Sequence, residues 1–340
     1  MLSLTTNVDL QNVLSSRIPQ ITNVMETDAI EIFTLPQNYF HPDIARYPSV
    51  MPEKKSQYGK FNILSKELAQ NIGEEMRKNS VSRIQLHYPW QKSLMDMDGQ
   101  HIALTIAFCD IISNVAEADR FTINYHNVRK FSADVLSEKS QGDRQIMHQG
   151  LAAQPLEAKY IRDGMESDCL LIVENNPALS KNYDSFQKSL VFDCVDQVAE
   201  DFANRKHIDG INFDVSHAWT VIKYFTENPE IGTFGTMEWL REQYQGKVPE
   251  SAKSMESFVK TIALRTNWLH LSDESTAYEH LGKHIGDGSI NHEESLRLLI
   301  KHLTENTPVT IETGNGHTPE GFKRVLKQDF PRLKAILETL

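Results

Sequence analysis

The stretch GINFDVSHAW, residues 210–219, ends a mostly apolar run on Asp214 and places His217 three residues later. The run from Gly210 to Phe213 is short and has the character of a buried β-strand. A carboxylate at the end of a buried strand is costly unless an arginine, a set of backbone N–H groups or a metal ion meets it. The other strands of the chain indicate which of these partners Asp214 has.

Seven further runs of this kind occur along the chain, and helical segments separate them. The predicted strands are Leu2–Thr6, Ala29–Phe33, Ile84–His87, Phe121–His126, Leu170–Glu174, Gly210–Asp214, Trp268–Leu271 and Val309–Glu312. Apolar residues recur at three- and four-residue spacing in the intervening stretches 65–79, 101–118 and 185–206, and the chain closes with a predicted helical stretch, 319–340. Eight strands alternating with helices predict a (β/α)8 TIM barrel, with eight parallel strands inside a ring of outer helices.

A doubly wound sheet would alternate in the same way, but it would normally have a glycine-rich turn after its first strand. The sequence there, TTNVDLQ from residue 5, contains no glycine. No linker or change of composition divides the chain, so we expect a single TIM-barrel domain over residues 1–340. Long connections after the second and sixth strands, 34–64 and 220–257, are expected to lie over the mouth of the barrel, where substrates bind.

The composition is that of a folded soluble protein. Of its 340 residues, 40% are hydrophobic and 24% are charged, and no apolar stretch reaches the length of a membrane span. Three widely spaced cysteines, Cys109, Cys169 and Cys194, fit a reducing compartment, and we expect a cytoplasmic protein without a signal peptide. The net charge of −11 disfavours nucleic acid as a partner. The oligomeric state stays open, because no interface signature is legible.

A histidine or an acidic residue stands at the carboxyl end of six consecutive predicted strands. In chain order these residues are His87, His126, Glu174, Asp214 with His217, His270 with Asp273, and Glu312. The carboxyl ends of all barrel strands open on one face, so these side chains are expected to converge. Carboxylates in one small volume repel one another unless cations neutralise them, and mixed imidazole and carboxylate shells suit Zn²⁺, Mn²⁺, Fe²⁺ or Co²⁺. The pattern therefore predicts a metal centre that includes Asp214.

Three further residues beside these strand ends are candidates for substrate binding. Trp90 and Trp219 have rings that can stack on a sugar or a base, although packing at the barrel mouth explains each of them equally well. Asp273, three residues beyond His270, is the third candidate.

The sequence resembles the xylose isomerase-like TIM-barrel superfamily, which includes endonuclease IV (AP endonuclease family 2) and many sugar isomerases and epimerases. The resemblance rests on LLIVENN, FDVSHAW, HLSDES followed by HIGDGSI, and TIETGN, in that order. The sugar isomerase pattern implies one metal ion held by Glu174, Asp214, His270 and Glu312. It also implies that the two glutamates move a proton between neighbouring carbons and that His217 contacts the substrate.

The endonuclease IV pattern implies more than one metal ion. The same four residues would hold one zinc ion, and a second metal would be bridged by Glu174 and held by His87 and His126. That pattern usually continues the fourth strand with His-Pro-Gly, whereas this sequence reads His126-Asn127-Val128.

A third metal in the endonuclease IV pattern would bind His217 together with an Asp-x-His pair before the glycine-rich turn. Here the two positions of that pair hold His280 and Gly282. His280 or His284 would then have to act as the ligand through a shifted loop. The absence of the pair, like the change after His126, argues against cleavage of DNA at abasic sites.

The residues and the resemblance together leave the reaction open. The first hypothesis is hydrolysis of a phosphodiester or phosphate ester at a multinuclear centre, because an isomerase with one metal does not need His87 and His126. The second is isomerisation or epimerisation of a sugar or sugar phosphate, with Glu174 and Glu312 as acid and base. Other metal chemistry, such as dehydration or iron-dependent oxidation, and a non-catalytic metal-binding barrel are further alternatives. We expect one to three divalent ions, with zinc favoured, and a small phosphorylated or sugar-like substrate.

Overall fold

A computed structural model describes residues 2–9, 17–34, 39–40, 63–88, 99–126, 157–175, 209–227, 251–262, 266–276, 282–304, 306–316 and 318–340. Within these ranges eight parallel strands form a closed barrel. The strands are β1 (Ser3–Asp9), β2 (Ala29–Phe33), β3 (Arg83–His87), β4 (Arg120–His126), β5 (Leu170–Glu174), β6 (Gly210–Asp214), β7 (Thr266–Leu271) and β8 (Pro308–Ile311). Each predicted strand overlaps one of these, so the predicted TIM barrel is confirmed.

The described helices surround the barrel. They are α1 (Arg17–Met25), α2 (Lys66–Lys78), α3 (Gly99–Ala116), α4 (Val215–Glu227), α5 (Met255–Ile262), α6 (His292–Leu299), α7 (Pro319–Arg324) and α8 (Phe330–Thr339). The predicted helices 65–79 and 101–118 correspond to α2 and α3, whereas 185–206 falls outside the described residues. The predicted C-terminal helix is divided by a π-helical turn, Val325–Asp329. None of the helices in the described ranges is long and apolar enough to cross a membrane.

The prediction of a long connection over residues 220–257, after the sixth strand, is wrong at both ends of this range, because the residues there are helical. Helix α4 begins directly after β6, so residues 220–227 are helical, and Ser251–Lys253 form a 3-10 helix before α5. Ala218 and Val221 of α4 are buried in the core, at the three-residue spacing of a helix face. The other long connection, residues 34–64, lies mostly outside the described part, but its two-residue strands Tyr39–Phe40 and Ile63–Leu64 pair in parallel.

Two of the three cysteines lie in the described residues. Cys109 and Cys169 are buried and form no disulfide with each other, and Cys194 is outside the described ranges. Burial raises the pKa of both thiols, and so these two cysteines are unreactive core residues rather than nucleophiles.

The interior of the barrel contains a polar layer directly beneath the strand ends. Near the amino ends of the strands, Ala29, Ile172 and Trp268 pack together as an apolar plug. Above them, β2, β4, β6 and β8 contribute inward-facing side chains that are fully buried: Glu31, Asn124, Asn212 and Thr310. Barrels of this type usually fill such a layer with branched apolar side chains. We call these four residues the polar layer, and they support the side chains at the mouth.

Candidate metal centre

Asp214 both ends β6 and caps α4. Its Oδ1 accepts hydrogen bonds from the backbone N–H of His217 at 2.8 Å and from the hydroxyl of Ser216 at 2.6 Å. This is an N-cap arrangement, in which a side-chain oxygen accepts from the third residue of the helix. The other oxygen, Oδ2, lies 4.0 Å from Nδ1 of His270 and 3.7 Å from Nε2 of His217. The junction between strand and helix therefore directs one oxygen of Asp214 toward the centre of the barrel mouth.

Four side chains from the ends of β5 to β8 converge. One ligand atom each from Glu174, Asp214, His270 and Glu312 lies within 4.8 Å of the others. Nδ1 of His270 is 2.6 Å from Oε2 of Glu312 and 3.5 Å from Oε2 of Glu174. The side chains of Glu174 and Asp214 are fully buried, whereas 20% of the Glu312 side chain is exposed. Glu312 is therefore the carboxylate of this set that a substrate can reach.

His87, at the end of β3, lies against the same four residues. Its Nε2 is 3.2 Å from Oε2 of Glu174 and 3.8 Å from Oε1 of Glu312, and its ring stacks on His270 with centroids 5.5 Å apart. Its Nδ1 is 2.9 Å from the backbone carbonyl of Tyr88. In the neutral tautomer that donates from Nδ1, the lone pair of Nε2 faces the carboxylates.

His270 and His217 are held in the same way. Nε2 of His270 lies 2.7 Å from Oε2 of Glu31, and Nδ1 of His217 lies 2.6 Å from the carbonyl of Asn175. Metal-ligating histidines almost always donate their second ring N–H to a carboxylate or carbonyl, which fixes the tautomer and the ring orientation. Like His87, these two imidazoles are therefore held in the form that a metal ligand requires.

The polar layer holds Glu174 from beneath. The side-chain amides of Asn124 and Asn212 both donate to Oε2 of Glu174, at 2.5 Å and 3.0 Å. These two residues lie inside their strands, so the pattern of polar residues at strand ends does not include them. The signal that could have found them is their position: each lies two residues before a predicted ligand, His126 or Asp214, on the same face of its strand.

Glu31 is the third residue of the site that the sequence patterns did not indicate. It lies in β2 with 0% exposure, and its Oε2 accepts from His270, from Gln85 at 3.1 Å and from Thr310 at 2.6 Å. A single glutamate within AIEIF gives no sign from composition that it is buried in a barrel. Its inward position follows only from the register of β2 with β3, in which Glu31 pairs with Gln85 and Phe33 pairs with His87.

The carboxylates make this volume attractive to positive charge. Burial opposes protonation of His87, but its hydrogen bond to Glu174 and the charges of Glu174 and Glu312 outweigh burial and raise the pKa of His87 to about 9. The pKa of His270 is also raised, because Glu31, Glu312 and Glu174 together outweigh its burial. Burial would raise the pKa of Glu312, but the neighbouring His270 and His87 outweigh burial and lower this pKa to about 2. An electrostatic environment of this kind favours bound cations.

Asp273 binds the glycine-rich turn. Its Oδ2 accepts from the N–H of Gly286 at 2.8 Å, and its Oδ1 accepts from those of Glu274 and Ile290 at 2.9 Å and 3.0 Å. Burial would raise the pKa of Asp273, but His292 and these amides lower it to about 2. The amides of the turn are thus occupied by a carboxylate of the protein, and substrate binding by Asp273 stays a prediction.

Replacing Asp273 by asparagine is expected to destabilise the fold by about 2 kcal/mol, because the new amide group would face backbone N–H donors. Thermal denaturation measures this loss. Glu293→Gln, on the exposed face of α6, is the matched control and should change stability by less than about 0.5 kcal/mol. Unchanged stability in Asp273→Asn, combined with weaker substrate binding, would instead assign Asp273 to the substrate site.

The remaining predicted site residues lie elsewhere or are not described. Nδ1 of His284 is 2.5 Å from Oδ2 of Asp329, and among the described residues no candidate metal group includes His284. Trp219 packs against the edge of the apolar core, with Nζ of Lys223 at 4.6 Å from its ring centroid. Outside the described residues lie Trp90, His280 and the side chain of His126.

Solved structures of TIM-barrel proteins are similar to this chain over almost its whole length. Endonuclease IV from Thermus thermophilus is 13% identical, covers 99% of this chain and 100% of its own, and has a TM-score of 0.55. A xylose isomerase domain protein from Alicyclobacillus acidocaldarius is 8% identical, with 98% of both chains covered and a TM-score of 0.53. A xylose isomerase-like TIM-barrel protein from Mycobacterium smegmatis, solved in complex with magnesium, is 9% identical, covers 98% of this chain and 97% of its own, and has a TM-score of 0.51. No family model and no curated protein matches the sequence.

Proposed function

We propose that this chain, which has the fold of the xylose isomerase-like TIM barrels, is a divalent-metal enzyme that hydrolyses phosphate esters with two metal ions. The observation that carries the proposal is the position of His87. Four other side chains already suffice for one ion, and yet Nε2 of His87 is directed at Glu174 and Glu312, at 3.2 Å and 3.8 Å. A fifth ligand placed in this way supports a second ion beside the first.

The side chains fit divalent ions in charge and in donor type. Glu31, Glu174, Asp214 and Glu312 bring four carboxylates into one largely buried volume, and each of them lies within 4.0 Å of a histidine ring nitrogen. Two divalent ions would balance the charges of four ionised carboxylates, whereas one ion would leave two negative charges unbalanced. Imidazole nitrogen and carboxylate oxygen together suit zinc, manganese, iron or cobalt.

A pair of bound divalent ions binds the attacking and leaving oxygens of an in-line displacement and lowers the pKa of water. The chain would hold the first ion with Glu174, Asp214, His270 and Glu312, and the second with His87 and a shared carboxylate. Glu312 is the partly exposed ligand, so the attacking water would bind on its side of the centre and release its proton to solvent. His217, with Nδ1 fixed by the carbonyl of Asn175, would orient the phosphoryl group or protonate the leaving oxygen.

The compact set of four ligands supports a second candidate function, isomerisation or epimerisation of a sugar or sugar phosphate with one ion. That reaction needs two carboxylates that can exchange protons with neighbouring carbons. Glu312 meets this requirement, but Glu174 is fully buried and accepts two amide hydrogen bonds at Oε2. Because only one of the two glutamates is placed to exchange protons with a substrate, the site favours hydrolysis over isomerisation.

Metal content tests the proposal directly. Wild-type protein reconstituted with zinc should bind two equivalents and hydrolyse a small ester such as bis(p-nitrophenyl) phosphate or p-nitrophenyl phosphate. His87→Ala should bind one equivalent and lose most of this activity, because a single ion cannot bind both reacting oxygens. Elemental analysis and steady-state rates are the measurements.

His302→Ala is the matched control, since His302 belongs to neither candidate ligand group among the described residues. It should bind two equivalents and react at the wild-type rate. One equivalent in the wild type, unaffected by His87→Ala, together with turnover of an aldose or ketose, would replace hydrolysis with isomerisation. An abasic-site DNA duplex should not be cleaved, in keeping with the net charge of −11.

A further inference from the structure

We propose that the second ion lies on the β2 side of the barrel, held by Glu31, His87 and Glu312, and that Glu312 rather than Glu174 bridges the two ions. The inference rests on the proposed function, because it places the second ion that the function requires. It differs from the arrangement that the resemblance implies, in which Glu174 bridges and His126 is a ligand.

A second group of candidate ligands supports this position. One ligand atom each from Glu31, His87, His270 and Glu312 lies within 4.8 Å of the others. In this group His270 contacts Glu31 through Nε2, while its Nδ1 faces Glu312 and the first ion position. If His270 stays with the first ion, three side chains remain for the second. Three protein ligands are typical of a catalytic metal with an open coordination position.

Glu31 has one carboxylate oxygen that its described neighbours do not use. Oε2 accepts from His270, Gln85 and Thr310, whereas Oε1 is buried and accepts no hydrogen bond within the described part of the chain. A buried polar atom left in this condition destabilises the fold, and more so if it is charged. A cation bound at Oε1 would remove that destabilisation, and Glu31 is therefore an independent indication of a ligand.

The two oxygens of Glu312 face different imidazoles. Oε2 lies 2.6 Å from Nδ1 of His270, and Oε1 lies 3.8 Å from Nε2 of His87. A carboxylate that bridges two ions needs this division between its oxygens. Oε2 of Glu174 instead accepts two amide hydrogen bonds from the polar layer, and its Oε1 lies 3.3 Å from Nδ1 of His217. Glu312 is thus better placed than Glu174 to bridge.

The two arrangements predict opposite results for Glu31 and His126. On the full-length protein, zinc stoichiometry is measured by elemental analysis after reconstitution and desalting, and affinities are measured by competition with a chelator. Wild type and His126→Ala should bind two equivalents, and Glu31→Gln should bind one. Two equivalents in Glu31→Gln together with one in His126→Ala would overturn the proposal in favour of Glu174 as the bridge.

A second readout separates a ligand from a positioning residue. With manganese in place of zinc, two bridged ions give a spin-coupled paramagnetic resonance spectrum, and Glu31→Gln should give that of an isolated ion. If Glu31 acts only by orienting His270, the variant should retain two coupled ions with a weaker first affinity, and the proposal is then wrong. Gln85→Met, which removes a hydrogen bond to Glu31 but keeps its charge, is the matched control and should retain both ions.

The failure of this inference is distinguishable from failure of the proposed function. A wild-type protein that binds a single equivalent contradicts the two-ion function itself. A wild type with two equivalents and an unaffected Glu31→Gln contradicts only the placement of the second ion. Far-ultraviolet circular dichroism of the metal-free variants shows whether each one is folded before its stoichiometry is interpreted.

Discussion

Removal of the proposed divalent ions with a chelator is expected to reduce turnover to the background rate and to destabilise the fold. Two such ions would supply several kcal/mol of transition-state stabilisation, and about 1.4 kcal/mol corresponds to a factor of ten, so a loss of at least about 10³-fold is expected. A ligand present at 1,000 times its Kd stabilises the folded state by about 4 kcal/mol, and metal removal forfeits this stabilisation. Steady-state rates and thermal denaturation, each before and after readdition of zinc, measure the two effects.

The loss of stability on chelation is expected to depend on pH. Without metal, protons on the imidazoles offset part of the carboxylate charge, and the carboxylates raise the pKa of His87 from 6.5 to about 9. A group whose folded pKa is raised stabilises the fold fully below its unfolded pKa, and that contribution is lost as the pH rises through the folded pKa. The metal-free protein should therefore be more stable at pH 6 than at pH 9.5. Equal stability at both values in the metal-free protein would contradict the clustering of these charges.

The strand ends were predictable because two simple rules coincide there. An apolar run that ends on a polar residue marks a buried strand, and parallel strands in a barrel bring all such ends to one face. These rules predict the convergence of Glu174, Asp214, His270 and Glu312, and the structure brings these four side chains together. They cannot show which oxygen of Glu174 the neighbouring amides occupy, because that depends on packing.

The rules for strand ends do not predict the polar layer, because its residues lie inside the strands. Asn124 and Asn212 each lie two residues before a predicted ligand, so alternation along the strand gives their direction. Glu31 has no such neighbour, and a lone polar residue within an apolar run has the same appearance whether it faces the barrel interior or the outer helices. Its direction is set by the register between strands, which brings Glu31 beside Gln85. That register depends on the whole closed barrel and cannot be inferred from one strand.

Trp219 illustrates a different limit. It stands two residues after His217 in the sequence, but residues separated by two positions lie on different faces of a helix. With α4 beginning at Val215, His217 contacts the mouth of the barrel and Trp219 packs against the core beside Lys223. If residues 220–257 are taken as a loop, the different directions of His217 and Trp219 are not expected. Recognising Asp214 as the cap of a helix that begins at Val215 would have predicted them.

Asp214→Asn is expected to reduce kcat/KM by at least about 10³-fold while leaving the metal-free fold within about 0.5 kcal/mol of wild type. Asparagine caps a helix about as well as aspartate, so its side-chain oxygen can still accept from the N–H of His217. The neutral amide removes the negative charge that Oδ2 offers to the first ion, and about 4 kcal/mol of transition-state stabilisation corresponds to 10³-fold. Steady-state kinetics, zinc content and urea denaturation in chelator measure the three consequences.

Asp214→Ala completes the comparison, because it removes both the charge and the cap. It should match Asp214→Asn in lost activity, and it should also destabilise the metal-free protein by about 1–2 kcal/mol. Ser216→Ala removes only the second hydrogen bond to Oδ1 and is the control for local packing; it should retain the metal. Equal stabilities for the asparagine and alanine variants would show that Oδ1 does not hold the helix. A metal-replete, active Asp214→Asn would show that Oδ2 does not bind the first ion, and the strand end at Asp214 would then require another explanation.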